Sequence, residues 1–420
     1  MDKLLIIADD FTGALDTGIQ FTKMGNRVRV LTDWQYDFSS LSPSDSLLSV
    51  NADTRPLSPK AAYERVFTLA KNARKAGFSF LYKKTDSALR GNIGSELEAA
   101  MDAYNQKSIA FIPALPSLNR ITKNGVHYID GIPVEESVFG KDPFEPVKYS
   151  AVADIIRSQS NVCVENVTRE HFSLAGLEAA EKTIFIFDAE TDGDLAEAAR
   201  ILQAKGRLQV TAGCAGFAEI YGKMLSLGKG NPVRERKTDG LFVLCGSVNP
   251  ITKNQLDFAE KNGFTRLHLS GEQKLHGGFS PNEDEKSRFD SLFSLAKNSK
   301  KIILDTFSAP ENENADSIAQ KIGLSASEVR FRIADSLGAT AMQMVERGLD
   351  FTFCLTGGDT LSGFMRIIGA KELTPIAEIG KGAVLSALEW QGKQIQIISK
   401  SGGFGSENIF LQMYNAVTTA

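Results

Sequence analysis

The sequence predicts an α/β protein of two domains, each a mainly parallel sheet with helices on both faces, and three observations predict it. Apolar, strand-length runs alternate with amphipathic, helix-length segments over most of the chain. A chain of 420 residues exceeds one ordinary core and suggests two domains of about 200 residues each. Between Gly222 and Gly240 the sequence turns polar, carries Gly228, Gly230 and Pro232, and includes the run Arg234-Glu235-Arg236-Lys237, which reads as an interdomain linker. The expected domains are residues 1–226 and 240–420, joined by 227–239.

In the first domain strands are expected from Lys3 to Ala8, Val28 to Leu31, Leu47 to Val50, Phe78 to Tyr82, Ile109 to Ile112 and Thr183 to Phe187. Helices follow most of them. From Ala61 to Ala76, Tyr63, Val66, Phe67 and Ala70 share one face before Gly77 stops the helix. After Asn92, the residues Ile93, Leu97, Ala100, Met101 and Tyr104 recur at helical spacing. The segment from Pro113 to Tyr149 is irregular, with Pro113, Pro116, Pro133, Pro143 and Pro146. A stretch of that kind is more often a functional lid or an excursion from the sheet than a passive connection, and His127 to Gly131 reads as part of a hairpin within it. The second domain opens with a strand from Leu241 to Cys245 and continues with Lys301 to Asp305, Phe351 to Leu355 and Gln394 to Ile398. A helix beginning near Ser325 buries Val329, Ile333, Leu337 and Met344.

Several function classes fall away on composition. Net charge is −4 and the basic residues are dispersed, so nucleic-acid binding is unsupported. No apolar run approaches the roughly 20 residues that span a bilayer, so no membrane partner and a cytoplasmic location are expected. Cys163, Cys214, Cys245 and Cys354 are far apart and read as buried reduced thiols. His127, His171, His268 and His276 lack metal-ligand spacing.

The chemistry concentrates at strand-to-helix turns, which in an open α/β sheet line the ligand-binding edge. Lys83-Lys84-Thr85-Asp86-Ser87-Ala88-Leu89-Arg90-Gly91-Asn92 packs three cations, a carboxylate and hydroxyls into one turn, a cradle for a small hydroxylated anion. Asp9 and Asp10 follow the first strand. One of them caps the helix starting near Thr12, and the other is left to accept hydrogen bonds from ligand hydroxyls. Asp53 and Arg55 follow the third strand, either as a surface ion pair or with Asp53 on hydroxyls and Arg55 forking a carboxylate. Three such turns on one sheet imply a small sugar acid. In the second domain Gly357-Gly358-Asp359-Thr360 and Ser399-Lys400-Ser401-Gly402-Gly403 follow strands, and consecutive glycines let backbone N–H groups approach phosphate oxygens. Gly246-Ser247 at the end of that domain's first strand adds a third contributor, with Ser247 as a nucleotide contact.

These motifs together resemble the four-carbon acid sugar kinases: Ala8 to Ala14, Lys83 to Asn92, Gly357 to Thr360 and Lys400 to Gly405 carry the likeness across essentially the whole chain. The resemblance implies an N-terminal domain that binds the acid sugar, a C-terminal domain that binds ATP, and an active site in the interdomain cleft. It places the substrate against Asp9, Asp53 and the run Lys83, Lys84, Thr85 and Asp86, to which the chemistry of the turns adds Asp10, Arg55, Ser87 and Arg90. It places ATP, as its Mg²⁺ complex, against Ser247, Gly357, Gly358, Asp359, Thr360 and one glycine of the Gly402-Gly403 pair, with Lys400 added to offset phosphate charge. Lys83 or Lys84 would hold the substrate carboxylate. Asp359, Lys84 and Asp86 are the expected catalytic residues, Asp359 as general base by analogy with small-sugar kinases; no metal ligand is assigned. Phosphorylation of the terminal hydroxyl of D-threonate is the expected activity, with D-erythronate or 3-oxo-tetronate as alternatives and a homodimer left open. A non-catalytic sugar-acid binding protein, or an aldolase or dehydratase using Lys83 or Lys84 as a Schiff-base nucleophile, are the rival classes.

Overall fold

A computed structural model describes residues 2–419 apart from 43–44, 143–144, 175–176, 231–232, 280–281 and 308–314. Pro143 and Pro232, named above, lie outside the described residues. The chain divides into two compact units, residues 1–232 and 233–420. Gly228 accepts from Asn26 Nδ2, Gly230 N–H donates to the Gly25 carbonyl, and within the second unit the Arg236 N–H donates to Gln396 Oε1 while its carbonyl accepts from Gln396 Nε2.

The first unit contains β1 (Leu4–Ala8), β2 (Arg29–Leu31), β3 (Leu47–Asn51), β4 (Phe80–Lys84), β5 (Ser108–Ile112), β6 (Arg120–Lys123), β7 (Val126–Ile129), β8 (Ile132–Pro133), β9 (Cys163–Val167), β10 (Thr183–Phe187) and β11 (Val210–Gly213). The order β2-β3-β1-β4-β11-β5-β10-β9 forms a parallel sheet, and β6-β7-β8 a small antiparallel one. Leu5 and Ile7 face a core shared with the helices Pro59–Lys75 and Ile93–Tyr104. On the opposite face Tyr82 packs against Phe217 and Tyr221 of the helix Ala215–Lys223, with ring centroids 6.3 and 5.3 Å away. Both faces are therefore covered, as a parallel sheet requires.

The fourth strand runs two residues further than its apolar pattern suggests, because β1 and β11 supply backbone partners as far as Lys84 (Ala8↔Lys84, Gly213↔Lys84). That extension sends Lys83 and Lys84 to opposite faces of the sheet. The irregular segment contains the β6–β8 meander, whose turns Asn124-Gly125 and Asp130-Gly131 have positive φ at both positions, the hairpin-forming geometry. Strands β9 and β11 escape the sequence pattern. The first is a mostly exposed edge strand that includes Cys163, so the expectation of a buried thiol fails there; the second is only 4 residues long.

The second unit contains β12 (Gly240–Cys245), β13 (Thr265–His268), β14 (Lys301–Asp305), β15 (Phe351–Thr356), β16 (Glu372–Gly380), β17 (Ala383–Trp390) and β18 (Lys393–Lys400), in the order β13-β14-β12-β15-β18-β17-β16. Strands β13 to β15 and β12 run parallel with β18, and β16 and β17 add an antiparallel meander through turns at Gly382 and Gly392. The helix Ala326–Glu346 starts at the Ser325 cap and buries Leu337 and Met344; Val329 and Ile333 are only partly covered. It crosses the helix Gly358–Ile368 at two glycines: a Cβ on Gly363 would lie 2.5 Å from Ala334 O, and one on Gly338 would lie 2.8 Å from Phe364 N. Backbone therefore rests on backbone, and the crossing fixes where the helix Gly358–Ile368 begins. Among the described residues no helix is long and apolar enough to cross a membrane.

Gly363→Ala should separate that crossing, lowering stability by about 1–3 kcal/mol in denaturant unfolding and weakening nucleotide binding measured by calorimetry.

Candidate active site

In the first unit the chain leaves β1 for β2 and β3 on one side, then returns to β4 on the other, so the β1/β4 edge is the topological switch point where open α/β sheets bind ligands. Asp9 and Asp10 sit there. Asp10 is the helix cap: its Oδ1 accepts from Gly13 N–H at 2.8 Å and its Oδ2 from Thr12 Oγ1 at 2.8 Å. Burial opposes charge on Asp10, but Arg55 and Lys84 outweigh it and hold the carboxyl below its ordinary value.

Arg55 reaches across from the end of β3. Its Nε and Nη2 donate to Asp9 Oδ2 at 2.9 and 2.7 Å, and it also lies 3.1 Å from Asp10 Oδ2 and 3.9 Å from Asp86 Oδ1. The guanidinium expected to fork a substrate carboxylate is thus already engaged by protein carboxylates, and it joins three turns instead. Asp53 is exposed at φ 48°, beside this network. Among the described residues, Asp9 Oδ1 is buried with no hydrogen-bond partner, leaving an acceptor open there.

The two lysines of the turn part company. Lys83 is wholly buried, with Nζ 2.6 Å from Glu96 Oε2, so the substrate role expected of Lys83 is corrected to a structural one on the far face of the sheet. Burial raises the Glu96 carboxyl despite Lys83. Lys84 is also buried, 5% exposed, yet among the described residues no carboxylate lies within ion-pair distance; its Nζ donates to Thr85 O at 2.7 Å. A Cβ on Gly13 would sit 3.0 Å from this ammonium, which places it at the positive end of the helix Phe11–Lys23. Charge and helix dipole add there, and an anion would relieve both.

Asp86 accepts from Arg90 Nε at 2.7 Å. Burial would raise its carboxyl, but Arg90 and Arg55 hold it well below the ordinary range. Held by these two guanidinium groups, it stands in the turn as a charged acceptor. Thr85 is fully buried, its N–H on Gly213 O. Asn92 Nδ2 donates to Thr54 O and Leu57 O, both at 2.9 Å, bracing the Arg55 loop against the Lys84 turn.

The sequence reading missed what the meander supplies. Arg120 Nη1 donates to Ser87 Oγ at 2.5 Å, and Arg120 and Arg90 both lie over the Phe139 ring, at 5.1 and 5.2 Å. The signals available were the proline-rich irregularity and the hairpin reading at His127 to Gly131, neither of which points to Arg120 as a neighbour of Ser87. Cys214, after β11, is a further neighbour of Lys84 and Arg120; burial raises its thiol and those cations oppose the shift. A cleft of about 330 Å³ opens beside the network, lined among others by Arg55, Arg90, Asn92, Pro146, Tyr149 and Gln159.

The second unit repeats the switch-point geometry between β12 and β15. Gly357, at φ 95°, precedes the helix Gly358–Ile368, whose N-terminus has no side-chain cap, leaving the N–H groups of the first turn open to an anion. A Cβ on Gly246 would lie 2.6 Å from Thr360 Oγ1, and one on Gly402 would lie 2.9 Å from Ser247 Oγ, so only glycine lets the three loops meet. Gln255 Nε2 donates to the carbonyls of Phe404, Gly405 and Ser406, pinning the last loop. Lys400 is fully buried, with Nζ 3.1 Å from Ser401 O, and among the described residues it has no carboxylate within ion-pair distance. Burial lowers it to about 8 against the partial support of Cys354 and Cys245. Gly403 lies nearest Asn249 Nδ2. Asp359 is half exposed on the first helical turn, 2.5 Å from Arg330 Nε. The open helix end, the glycine loops and Lys400 fit a nucleotide's phosphates.

Comparison with known proteins agrees with both halves of this geometry. The sugar-binding N-terminal domain family matches residues 4–221, and the nucleotide-binding C-terminal domain family matches 242–410. A D-threonate kinase of Salmonella typhimurium is 27% identical over 422 residues, covering 97% of this chain and 96% of its own. A D-erythronate kinase of Heliobacterium modesticaldum is 27% identical, covering 97% and 95%, and a 3-oxo-tetronate kinase of Brucella melitensis is 24% identical, covering 98% and 94%. Solved structures from Salmonella typhimurium (19% identity, TM-score 0.80, all of both chains) and Haemophilus influenzae (20% identity, TM-score 0.70, 97% and 98%) share the fold. Relatives and family models define a sugar-acid kinase with a nucleotide-binding C-terminal domain. The chain belongs to the four-carbon acid sugar kinase family.

Lys83→Met should strand Glu96 and cost about 3 kcal/mol, whereas Lys84→Met, which removes a buried ammonium that has no carboxylate in ion-pair contact among the described residues, should leave the denaturation midpoint unchanged or raised. Lys400 makes a pH prediction. Its folded value of about 8 lies below the ordinary 10.5, so the folded state binds fewer protons between those limits. Stability should therefore rise with pH through that window and carry the full cost below it. Lys400→Met should recover about 3 kcal/mol at pH 7 and flatten the rise, read from denaturant unfolding at pH 7 to 10.

Proposed function

We propose that the chain transfers the γ-phosphoryl group of ATP to the terminal hydroxyl of a four-carbon sugar acid, D-threonate in the first place, with D-erythronate and 3-oxo-tetronate as alternatives. The observation that carries this reading is the buried Lys84 ammonium at the β1/β4 switch point, bonded to the Thr85 carbonyl and without a carboxylate in ion-pair contact among the described residues. A monoanion with several hydroxyls matches it: the carboxylate goes to Lys84, and the hydroxyls to Asp9 Oδ1 and Asp86. Asp10 and Arg55 hold the surrounding turns, Asp53 stands exposed at the rim, and Thr85 and Arg90 complete the wall.

Phosphoryl transfer asks little covalent chemistry of a protein beyond positioning and charge neutralisation. ATP supplies the phosphoryl group, and Mg²⁺ would arrive on its phosphates. The N–H groups of Gly358, Asp359 and Thr360, the loops at Ser247, Gly357, Gly402 and Gly403, and Lys400 would hold the nucleotide. Asp359 is the proposed base: it would leave Arg330, take the proton of the terminal hydroxyl, and so free that oxygen to attack phosphorus as ADP departs. Four unpaired cysteines suit a reducing, cytoplasmic setting.

A coupled ADP-release assay across D-threonate, L-threonate, D-erythronate, L-erythronate and 3-oxo-tetronate tests the proposal, and no turnover with any of them would refute it. Asp359→Asn should lower kcat by about a hundredfold or more with ATP binding intact; near-normal turnover would remove Asp359 from the role of base.

A further inference from the structure

The β6–β7 hairpin takes hold of the hydroxyl and the carbonyl of Ser87. Arg120 Nη1 donates to Ser87 Oγ at 2.5 Å, and His127 Nε2 lies 2.9 Å from the Ser87 carbonyl oxygen. A carbonyl only accepts, so Nε2 carries the ring proton. Nδ1 is then bare, and Thr122 Oγ1 donates to it at 3.0 Å. Burial lowers His127 to about 4, which keeps the ring neutral near pH 7.

The hairpin is itself anchored. Asp188, just past β10, accepts from the Asn124 and Gly125 N–H groups at 2.6 and 2.9 Å, and Thr122 and Ala189 exchange backbone hydrogen bonds of 3.0 and 2.9 Å. Arg120 is 6% exposed and stacked over Phe139, so its guanidinium has one narrow range of positions. A hydroxyl that accepts from a guanidinium keeps its own hydrogen to give, and the neighbouring positive charge makes it a stronger donor. Ser87 lies three residues after Lys84, in the same turn, with its polar atoms oriented from outside the turn.

We propose that Ser87 donates its hydroxyl hydrogen to the substrate carboxylate held by Lys84, and that Arg120 and His127 are positioning residues that fix Ser87 for that bond. The proposal rests on the acid-binding reading of the first unit. It makes the meander a device for orienting one hydroxyl.

Steady-state kinetics on Ser87→Ala, Arg120→Met and the double variant test it. Each single change should raise KM for the acid by about tenfold with KM for ATP and kcat nearly unchanged, and the double variant should be no worse than the more affected single. Arg120→Lys should restore part of the loss. Multiplying effects would mean that Arg120 acts on the substrate independently, and an unchanged acid KM in Arg120→Met would mean that it does not act at all; either overturns the proposal. The latch is also readable without substrate. Two-bond ¹H–¹⁵N correlation at pH 7 should show His127 as the neutral Nε2–H tautomer, and an Nδ1–H tautomer or an imidazolium would overturn it even if the enzyme turned over none of the acids. Absence of turnover in the parent enzyme would instead refute the kinase reading, which this spectrum does not touch.

Discussion

Arg55 joins Asp9, Asp10 and Asp86, carboxylates from two other strand ends, and the character of the acid site follows from that arrangement. A parallel sheet brings all its strand ends to one edge, and there like charges would repel unless something bridged them. With the aspartates taken up by Arg55 and Arg90, the Lys84 ammonium has no carboxylate in ion-pair contact among the described residues and lies beside the positive end of a helix. An isolated buried charge is costly, and removing it would be the simplest repair. Its persistence is intelligible when an anionic ligand completes the pair.

The second unit reaches a similar state by other means. Lys400 also ends a central strand, is also buried without a carboxylate among the described residues, and also gives a hydrogen bond to the next carbonyl. Around it stand glycine loops and an uncapped helix in place of aspartates, so this edge offers donors where the first also offers acceptors. A hydroxylated acid needs both; a polyphosphate needs donors alone. The difference in chemistry between the two edges is therefore a difference in partner.

Much of this was legible in the sequence. The alternation of strands and helices, the three polar turns and the glycine loops are local signals, and they lie where the sequence puts them. What was not legible depended on neighbours. Whether β4 stops at Tyr82 or continues to Lys84 is decided by backbone partners in β1 and β11, and that two-residue extension assigns Lys83 to Glu96 and Lys84 to the site. Arg55 reads equally well as a ligand clamp or as the surface partner of Asp53 until Asp9 is seen 46 positions away in sequence and 2.7 Å away in space. Arg120 and His127 reach the site through a hairpin fold-back that no periodicity announces.

The account stands on Lys84 as the anchor of the acid. Isothermal titration of D-threonate, and of the other four-carbon acids in turn, into the nucleotide-free parent protein and Lys84→Met addresses it directly. The account predicts saturable binding to the parent, its loss in the variant, and equal ATP affinity in both. Retained acid binding in Lys84→Met, or ATP affinity lost along with it, would contradict the account.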